Sequence, residues 1–462
     1  MNEPWGDRRV GLVGQDGRTD AIADACRQTL PKEQLFAVSS MVIPGLASKC
    51  QQVTVGTIEP DTILRWAQQV SPDLVIVGPE DPLARGVVDE LTKIGVPCFG
   101  PTRDLAQIEA SKIWARQLLD RHGIDANPAY EVFDSTDGLR EHLVQMGEFV
   151  VKPEGLTGGK GVRVYPEHFE SIDDAVSYAA DCIAANDRAR VLIEERLEGE
   201  EFSLMTITDG RTSVHCPAVQ DHKRAYEGDT GPNTGGMGSY SCADWGLPFL
   251  SGADVAQARG INERVIEALL GETGQPYRGV LYGGFILTAD GVRLIEYNAR
   301  FGDPEALNVL PIMQTDFVDV AWSAARGHLD ELGPVDFEPR ATVCKYLVPA
   351  SYPGARDEVG EPVSVPTEVL GLPEVRVYWA SCEQRDGQVL LTGSRSLAVV
   401  GIGKDLREAE VAAEAAASSV QGPVRYRSDI GTSALIQRRI DHMSQIRAHA
   451  GANRPGGRGT LG

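Results

Sequence analysis

Between Arg9 and Phe99 short β-rich runs alternate with helical patterns, and this alternation restricts the possible folds of the chain more than any other feature. Val10 to Val13, Leu35 to Val38 and Leu74 to Val77 are apolar and rich in β-branched residues, while Thr62 to Val70 and Leu83 to Ile94 carry helical periodicity. Strands joined through helices run parallel, because a parallel pair needs a crossover connection that no tight turn supplies. The first part of the chain is therefore expected to be a doubly wound parallel sheet. Pro101 and Thr102 break the pattern, and Asp104 to His122 then reads as one helix ending near Gly123. A first domain is expected over 1–105.

The middle of the chain reads differently. Phe149 to Lys152, Arg163 to Val164 and Val191 to Glu194 are strand-like, Ser171 to Ala184 is helical, and together they suggest a small α+β lobe over about 125–195 able to act as a lid. A glycine-rich loop over Gly228 to Gly238 follows, then a long helix around Val255 to Leu270. Two strands come next, Val280 to Leu287 and Val292 to Tyr297, joined by the turn Ala289-Asp290-Gly291. A two-lobed domain over 106–332 is expected. Strands near Thr342 to Val348, Val375 to Tyr378 and Val389 to Thr392, with an Ala-rich helix Leu406 to Val420, predict a smaller C-terminal α+β domain over 333–445. A disordered tail is expected over 446–462. The whole is of the α/β class.

Composition excludes several functions. The chain has 462 residues, enough for roughly three domains. With 44 Lys plus Arg against 66 Asp plus Glu, its formal charge of -22 argues against non-specific attraction to nucleic acid or anionic lipid. Any phosphate must be gripped locally. The eight cysteines show no CxxC pair, there is no signal-peptide-like start, and no run of about 18 apolar residues occurs, so a cytoplasmic protein is expected.

Four segments carry chemistry. In Val150 to Val162 a strand delivers Lys152 into a glycine turn whose backbone N–H groups and Lys160 could wrap a polyphosphate; a tight hairpin is the plain alternative. It is not a Walker A loop, because Gly161 stands where that motif needs Ser or Thr. In Val191 to Glu201 a strand runs into carboxylates suited to an adenine edge and ribose hydroxyls, or to a solvated acidic turn. Gln220 to Arg224, followed by Gly228 to Gly238, has too few apolar side chains for a core and reads as an anion-binding flap. His222, a lone histidine, is assigned no catalytic duty. In Leu294 to Glu305 the side chains of Glu296, Asn298 and Arg300 project to one face of a strand. The two oxygen donors suit Mg²⁺, and Arg300 suits a carboxylate or a transferring phosphoryl group. A polar surface strand is the alternative.

In this order and spacing the segments resemble the ATP-grasp superfamily and, within it, the glycinamide ribonucleotide synthetase (phosphoribosylamine-glycine ligase) family. The resemblance runs from about Val10 to Ile430. It is carried by Gly78-Pro79-Glu80-Asp81-Pro82-Leu83, Ile108 to Lys112, Lys152 to Gly161, Gln220 to Gly238, Glu296 to Glu305 and Ser428 to Gly431, with Cys344 to Pro349 similar to the archaeal-type branch. It implies a pre-ATP-grasp N-terminal domain and a two-lobed ATP-grasp domain. It also implies a ligase in which ATP phosphorylates an amino-acid carboxylate, glycine by expectation, and an amine, phosphoribosylamine by expectation, attacks the acyl phosphate to give an amide for purine synthesis. By the same resemblance ATP is held by Lys112, Lys152, Gly158, Gly159, Lys160, Glu194, the backbone of Glu195 and Leu197, and Glu201; Mg²⁺, or Mn²⁺ in its place, by Glu296 and Asn298. Arg300, Lys223 and Asp221 are the implied catalytic group, and Gly14, Gly17, Arg18, Pro79, Glu80, Asp303, Pro304 and Glu305 the substrate contacts. Partners are small molecules, with neither nucleic acid nor membrane, in a monomer or homodimer.

The chain departs from the family at its first loop. Where Gly-Arg-Glu-His-Ala is expected, it reads Gly17-Arg18-Thr19-Asp20-Ala21 after Gly14-Gln15-Asp16. A helix N-terminus favours phosphate, but an unscreened carboxylate ~5 Å away costs roughly 3 kcal/mol at an effective dielectric near 20. Asp16 and Asp20 therefore leave open a paralogue that joins an amino acid to a different amine, and more remotely a nucleotide-binding sensor without turnover. If loop charge is the obstacle, Asp16→Gly with Asp20→His improves phosphoribosylamine use.

Overall fold

The computed structural model describes residues 5–156, 161–185 and 190–453. The N-terminal region is a parallel sheet of β1 (Val10–Val13), β2 (Leu35–Ser39), β3 (Gln52–Val55), β4 (Leu74–Val77) and β5 (Cys98–Phe99) in the order β3-β2-β1-β4-β5. Its central strands are apolar on both faces because helices cover both. Among them are α1 (Gly17–Arg27), α2 (Pro44–Lys49) and α3 (Pro60–Val70), the last with proline at its first turn.

Two single-helix expectations fail for local reasons. Leu83 to Ile94 divides into α4 (Glu80–Ala84) and α5 (Val87–Lys93), because Gly86 adopts a left-handed φ of 83° between them. Asp104 to His122 divides into α6 (Arg103–Ala110) and α7 (Lys112–Arg121) at Ser111, whose extended backbone ends one helix while its hydroxyl accepts from Trp114 N–H to cap the next. That break sets Lys112 at the start of α7, facing the centre of the molecule.

β6 (Tyr130–Phe133), β7 (Phe149–Pro153), β8 (Arg163–Val164) and β9 (Val191–Glu195) form an antiparallel sheet ordered β6-β9-β7-β8, backed by α8 (Leu139–Met146) and α9 (Ile172–Ala185). This lobe has a core of its own, with Leu139, Leu143, Phe149, Val151 and Ile193 at its centre. The turn residues Gly158, Gly159 and Lys160 lie outside the described residues. β10 (Glu200–Thr208) and β11 (Ser213–His215) belong to a second sheet. The flap region contains β12 (Gln220–Asp221), a ribbon of β13 (Arg224–Tyr226) and β14 (Thr230–Asn233), and β15 (Gly238–Ser241), so the glycine-rich stretch is partly a hairpin. α10 (Gly252–Thr273) starts at a Ser251–Asp254 capping box and stops at left-handed Gly274. β16 (Gly279–Thr288) and β17 (Gly291–Asn298) complete the order β11-β10-β16-β17. α11 (Glu305–Val309) and α12 (Phe317–Arg326) follow.

In the C-terminal part β18 (Ala341–Pro349), β19 (Val375–Trp379), the ribbon β20 (Cys382–Arg385) with β21 (Gln388–Leu391), β22 (Leu397–Gly403) and β23 (Val424–Arg425) pack with α13 (Thr367–Leu370) and α14 (Leu406–Ser419). The main sheet runs β12-β15-β18-β22-β19, so two strands from before residue 333 share it with the C-terminal strands. α15 (Ser433–Asn453) continues past residue 446, where a disordered tail is expected. Buried Met443 and Ile446 anchor it, an apolar pair too sparse to stand out in the sequence. Among the described residues no helix is long and apolar enough to cross a membrane.

Candidate active site

A cleft between the lid-like lobe and the end of β17 is lined by residues from all parts of the chain, including Arg18, Glu80, Lys112, Lys152, Lys223, Glu296, Asn298, Arg300 and Arg395. β17 presents Glu296 and Asn298. Opposite it, Gly284 pairs with Glu296 and Phe285 with Leu294, so Ile295 is an extra residue in the ladder. Such a bulge turns a backbone group out of the sheet. The Ile295 carbonyl accepts from Arg116 Nη2 at 2.6 Å and Lys152 Nζ at 3.1 Å. Arg300 lies beyond the strand's end, so alternation within β17 does not orient it as the sequence suggests. Its guanidinium nevertheless reaches back to Asn298 Oδ1 at 3.2 Å and pairs with Glu109 at 2.8 Å and Glu80 at 3.2 Å.

Charge is arranged around Glu296. Burial pushes its carboxyl up, but Lys223, Lys152, Lys112 and Arg300 together hold it below its ordinary range, so it is ionised. Among the described residues no group of three or more His, Cys, Asp or Glu gathers in metal-binding fashion. A divalent cation here would rest on Glu296, Asn298 and oxygens of a bound phosphate, the sparse hard-oxygen set that Mg²⁺ accepts. Lys112 Nζ donates to Gly155 O at 2.7 Å; burial and the neighbouring Lys152 lower its affinity for its proton.

Several expected contacts are already engaged. Both oxygens of buried Glu194 are taken, by Arg116 at 2.7 and 3.1 Å and by Lys152 Nζ at 2.6 Å. Burial raises the Glu194 carboxyl, yet these cations hold it low. Glu195 Oε1 accepts from Ala129 N–H at 2.7 Å, while Leu197 and Glu201 border the lobe side of the cleft. Lys223 pairs with Glu201 at 3.1 Å and lies 3.9 Å from Asp221. Burial raises the carboxyls of Asp221 and Glu305, the latter to about 7 beside Asp221; Tyr282 O–H donates to Glu305 at 2.8 Å.

The far end of the cleft explains the divergent loop. Asp16 is the N-cap of α1: it accepts from Thr19 N–H at 2.8 Å and pairs with Arg18. Asp20 is wholly buried on the other side of α1, against Lys49 Nζ at 2.6 Å and Trp379 N–H at 2.8 Å. Its charge thus faces away from the loop, and the reason for pairing Asp20→His with an improved phosphoribosylamine site falls. Arg18 N–H donates to Asp303, and its guanidinium to Phe301 O at 2.6 Å. A Cβ on Gly17 would lie 2.2 Å from Tyr346 Oη, and one on Gly14 2.1 Å from Thr19 Oγ1, so both glycines permit close packing. Pro79 precedes α4, where Glu80 enters the cleft and lies 3.7 Å from Arg18; Pro304 precedes α11.

Burial pushes Asp16 up, but Arg18 and the Thr19 donors outweigh it and hold the carboxyl at about 2. A carboxyl depressed in the folded state stabilises fully above its unfolded pKa near 3.8 and loses that contribution as pH falls through about 2. Asp16→Asn is accordingly expected to remove about 2 kcal/mol at neutral pH and to flatten the acid limb of the unfolding profile between about pH 4 and 2. An unchanged acid limb would exclude this pairing.

Sequence reasoning missed Glu109, Arg116, Tyr282, Tyr346 and Arg395. Glu109 accepts from Ala299 N–H at 2.7 Å, and burial raises its carboxyl to about 7 despite Arg300. Arg395 reaches Asp303 at 3.3 Å and stacks over the Tyr346 ring, whose hydroxyl donates to Asp303 at 2.7 Å. Glu109 lies inside the Ile108 to Lys112 motif and Tyr346 inside Cys344 to Pro349, while Arg395 carries no local signal.

Comparison with known proteins gives a consistent picture. Residues 8–109, 110–306 and 342–433 match the N domain, the ATP-grasp (A) domain and the C domain of phosphoribosylglycinamide synthetase. The chain is 43% identical over 440 residues to a phosphoribosylamine–glycine ligase of Methanosarcina acetivorans, covering 95% of this chain and 98% of that one. It is 42% identical over 447 residues to the Methanopyrus kandleri protein of the same name, covering 95% and 99%. Among solved structures, phosphoribosylamine–glycine ligase from Thermotoga maritima superposes with a TM-score of 0.75 at 27% identity, covering 91% of this chain and 99% of that one. The biotin carboxylase domain of Hydrogenobacter thermophilus 2-oxoglutarate carboxylase, solved with MgADP and bicarbonate, shares the fold at a TM-score of 0.68 and 14% identity, covering 94% of each chain.

Proposed function

The chain belongs to the phosphoribosylglycinamide synthetase family, and from that premise we propose how its cleft carries out the family's reaction. The protein is an ATP-dependent ligase that joins the carboxylate of glycine to the amine of phosphoribosylamine, giving glycinamide ribonucleotide, ADP and phosphate. The observation that carries the residue assignment is the ionised Glu296 beside Asn298 within a ring of Lys112, Lys152, Lys223 and Arg300. Phosphoryl transfer depends on positioning and charge neutralisation more than on a covalent side chain, and this ring supplies both.

In this reading Lys112 and Lys152 hold the ATP phosphates, and the backbone of Glu195 and Leu197 meets the adenine. Glu201 lies on the ribose side, while Glu194 fixes Lys152 and Arg116. Glu296 and Asn298 would hold Mg²⁺, which when bound neutralises phosphate oxygens. The glycine carboxylate attacks the γ-phosphorus as ADP leaves, and Arg300 and Lys223 stabilise the resulting acyl phosphate. The amine then attacks the acyl carbon, the C–O bond to phosphate breaks, and the proton shed by the nitrogen leaves with the departing phosphate as the amide forms. Arg18, Glu80 and Asp303, with Glu305 beside them, border the acceptor end. There Asp16 is paired with Arg18 and Asp20 with Lys49, so neither carboxylate is an isolated charge against the acceptor phosphate.

Incubation with ATP, Mg²⁺ and glycine, with and without phosphoribosylamine, tests this by ADP release and product mass. Glycinamide ribonucleotide formed only in the complete mixture is expected. Turnover with other amines and none with phosphoribosylamine would overturn the acceptor assignment.

A further inference from the structure

The C-terminal helix α15 lies almost wholly beyond the matched C domain, which ends at residue 433, yet it reaches the wall of the cleft. Arg439 on this helix stands 3.4 Å from Glu200 Oε2 through Nε, an ion-pair contact without a hydrogen bond, and pairs through Nη2 with Asp229. These carboxylates belong to separate segments. Glu200 opens β10, is buried, and precedes Glu201; Asp229 sits in the turn of the β13–β14 ribbon with a left-handed φ of 58°. Alternation along β10 sends Glu200 inward while Glu201 reaches Lys223 at 3.1 Å. On the flap side, Thr234 N–H donates to Lys223 O at 2.8 Å, tying Lys223 to the end of the same ribbon.

We propose that Arg439 is a positioning residue for the nucleotide end of the cleft: by bridging Glu200 and Asp229 it holds together the two segments that present Glu201 and Lys223. This rests on the nucleotide reading given above. Backbone pairing of Ser203 with Val219 and the Gln220 Nε2 bond to Glu201 O at 3.0 Å tie β10 to the start of the flap, but not to the turn at Asp229. Glu200 is also bound by His442 Nδ1 at 2.6 Å and Gln220 Nε2 at 3.2 Å, but neither touches Asp229. Arg427 pairs with Asp229 at 2.9 Å, but its other donors go to Asp429 and to Arg224 O. His222 lies beneath the flap with its Nδ1 3.5 Å from Asp229, and neither of its buried ring nitrogens makes a hydrogen bond. Among the described residues Arg439 is thus the group joining β10 to the turn. Without it two carboxylates lose their shared cation, and small displacements of phosphate-binding groups carry large kinetic penalties.

The test compares Arg439→Met, Arg439→Lys and Arg447→Ala with the wild type, by titration calorimetry with ATP and Mg²⁺ and by steady-state kinetics. Arg447 serves as the control because it pairs with Asp254 at 2.9 Å farther along the same helix. Arg439→Met is expected to weaken ATP binding and raise KM for ATP about tenfold, with KM for glycine within about twofold of wild type. Arg439→Lys should fall between, and Arg447→Ala should match wild type. Unchanged ATP affinity in Arg439→Met overturns the proposal, as do equal losses in Arg447→Ala, which would mean that only docking of the helix matters. If the methionine variant does not fold, Arg439→Lys decides by the same measures. Binding is read without turnover, so a wild type that binds ATP but makes no glycinamide ribonucleotide would sink the functional reading while leaving this inference to its own titration.

Discussion

Glu296→Ala is expected to lower kcat by about 10²–10³-fold or more, the scale on which removal of one pre-positioned charge-stabilising group acts in a shielded site. The magnitude follows from how few donors the site has. Glu296 is the ionised member of a two-residue oxygen set, and four cations surround it. On the proposed reading its removal deletes the full negative charge that would be offered to a divalent ion, and it leaves Lys112, Lys152, Lys223 and Arg300 repelling one another more strongly. ATP should still bind, because the lysines remain. The Mg²⁺ concentration for half-maximal rate should rise, and Glu296→Gln, which keeps the shape without the charge, should resemble the alanine variant. Activity within tenfold of wild type, roughly 1.4 kcal/mol in the barrier, would place the metal elsewhere.

The largest expected loss of stability is at Asp20. Its carboxylate has no solvent exposure, pairs with Lys49 at 2.6 Å and accepts from Trp379 N–H at 2.8 Å, joining α1 to α2 and to the edge strand β19. Burial raises its carboxyl even though Lys49 and the Trp379 N–H oppose that shift. Asp20→Ala leaves the Trp379 N–H without its acceptor and Lys49 with Asp24, at 3.9 Å, and the face of the Tyr378 ring. Breaking a buried pair from one side costs about 3–5 kcal/mol, so the chemical-denaturation midpoint should fall sharply. Asp20→Asn, which keeps an acceptor for Trp379, should lose less. A loss under about 1 kcal/mol for Asp20→Ala would show the pair to be worth no more than a surface one.

Much of the architecture was legible because it is local. The run Val10 to Val13 is buried on both faces as its unbroken apolar character implies, and the polar pair Glu296 and Asn298 stands out just after the apolar Leu294 and Ile295 of β17. The failures are instructive for the same reason. Ser111 interrupts a sequence that reads as one helix, and its hydroxyl donates to Glu154, a partner invisible to helical periodicity. The bulge at Ile295 leaves no trace in composition, yet it frees the carbonyl that draws Arg116 and Lys152 together.

The sequence by itself determined the parallel sheet, the succession of lobes, and which residue types could handle nucleotide, metal and acyl phosphate, since periodicity and turn chemistry act over a few residues. Only the tertiary structure decided where the charges point. Asp20 finds its backbone donor 359 residues later, Tyr346 and Arg395 come from strands and turns beyond residue 340 to hold Asp303, and Arg439 contacts both the start of β10 and the β13–β14 turn. A buried charge takes its partner from whatever the packing brings near, and that choice is written in no single stretch of sequence.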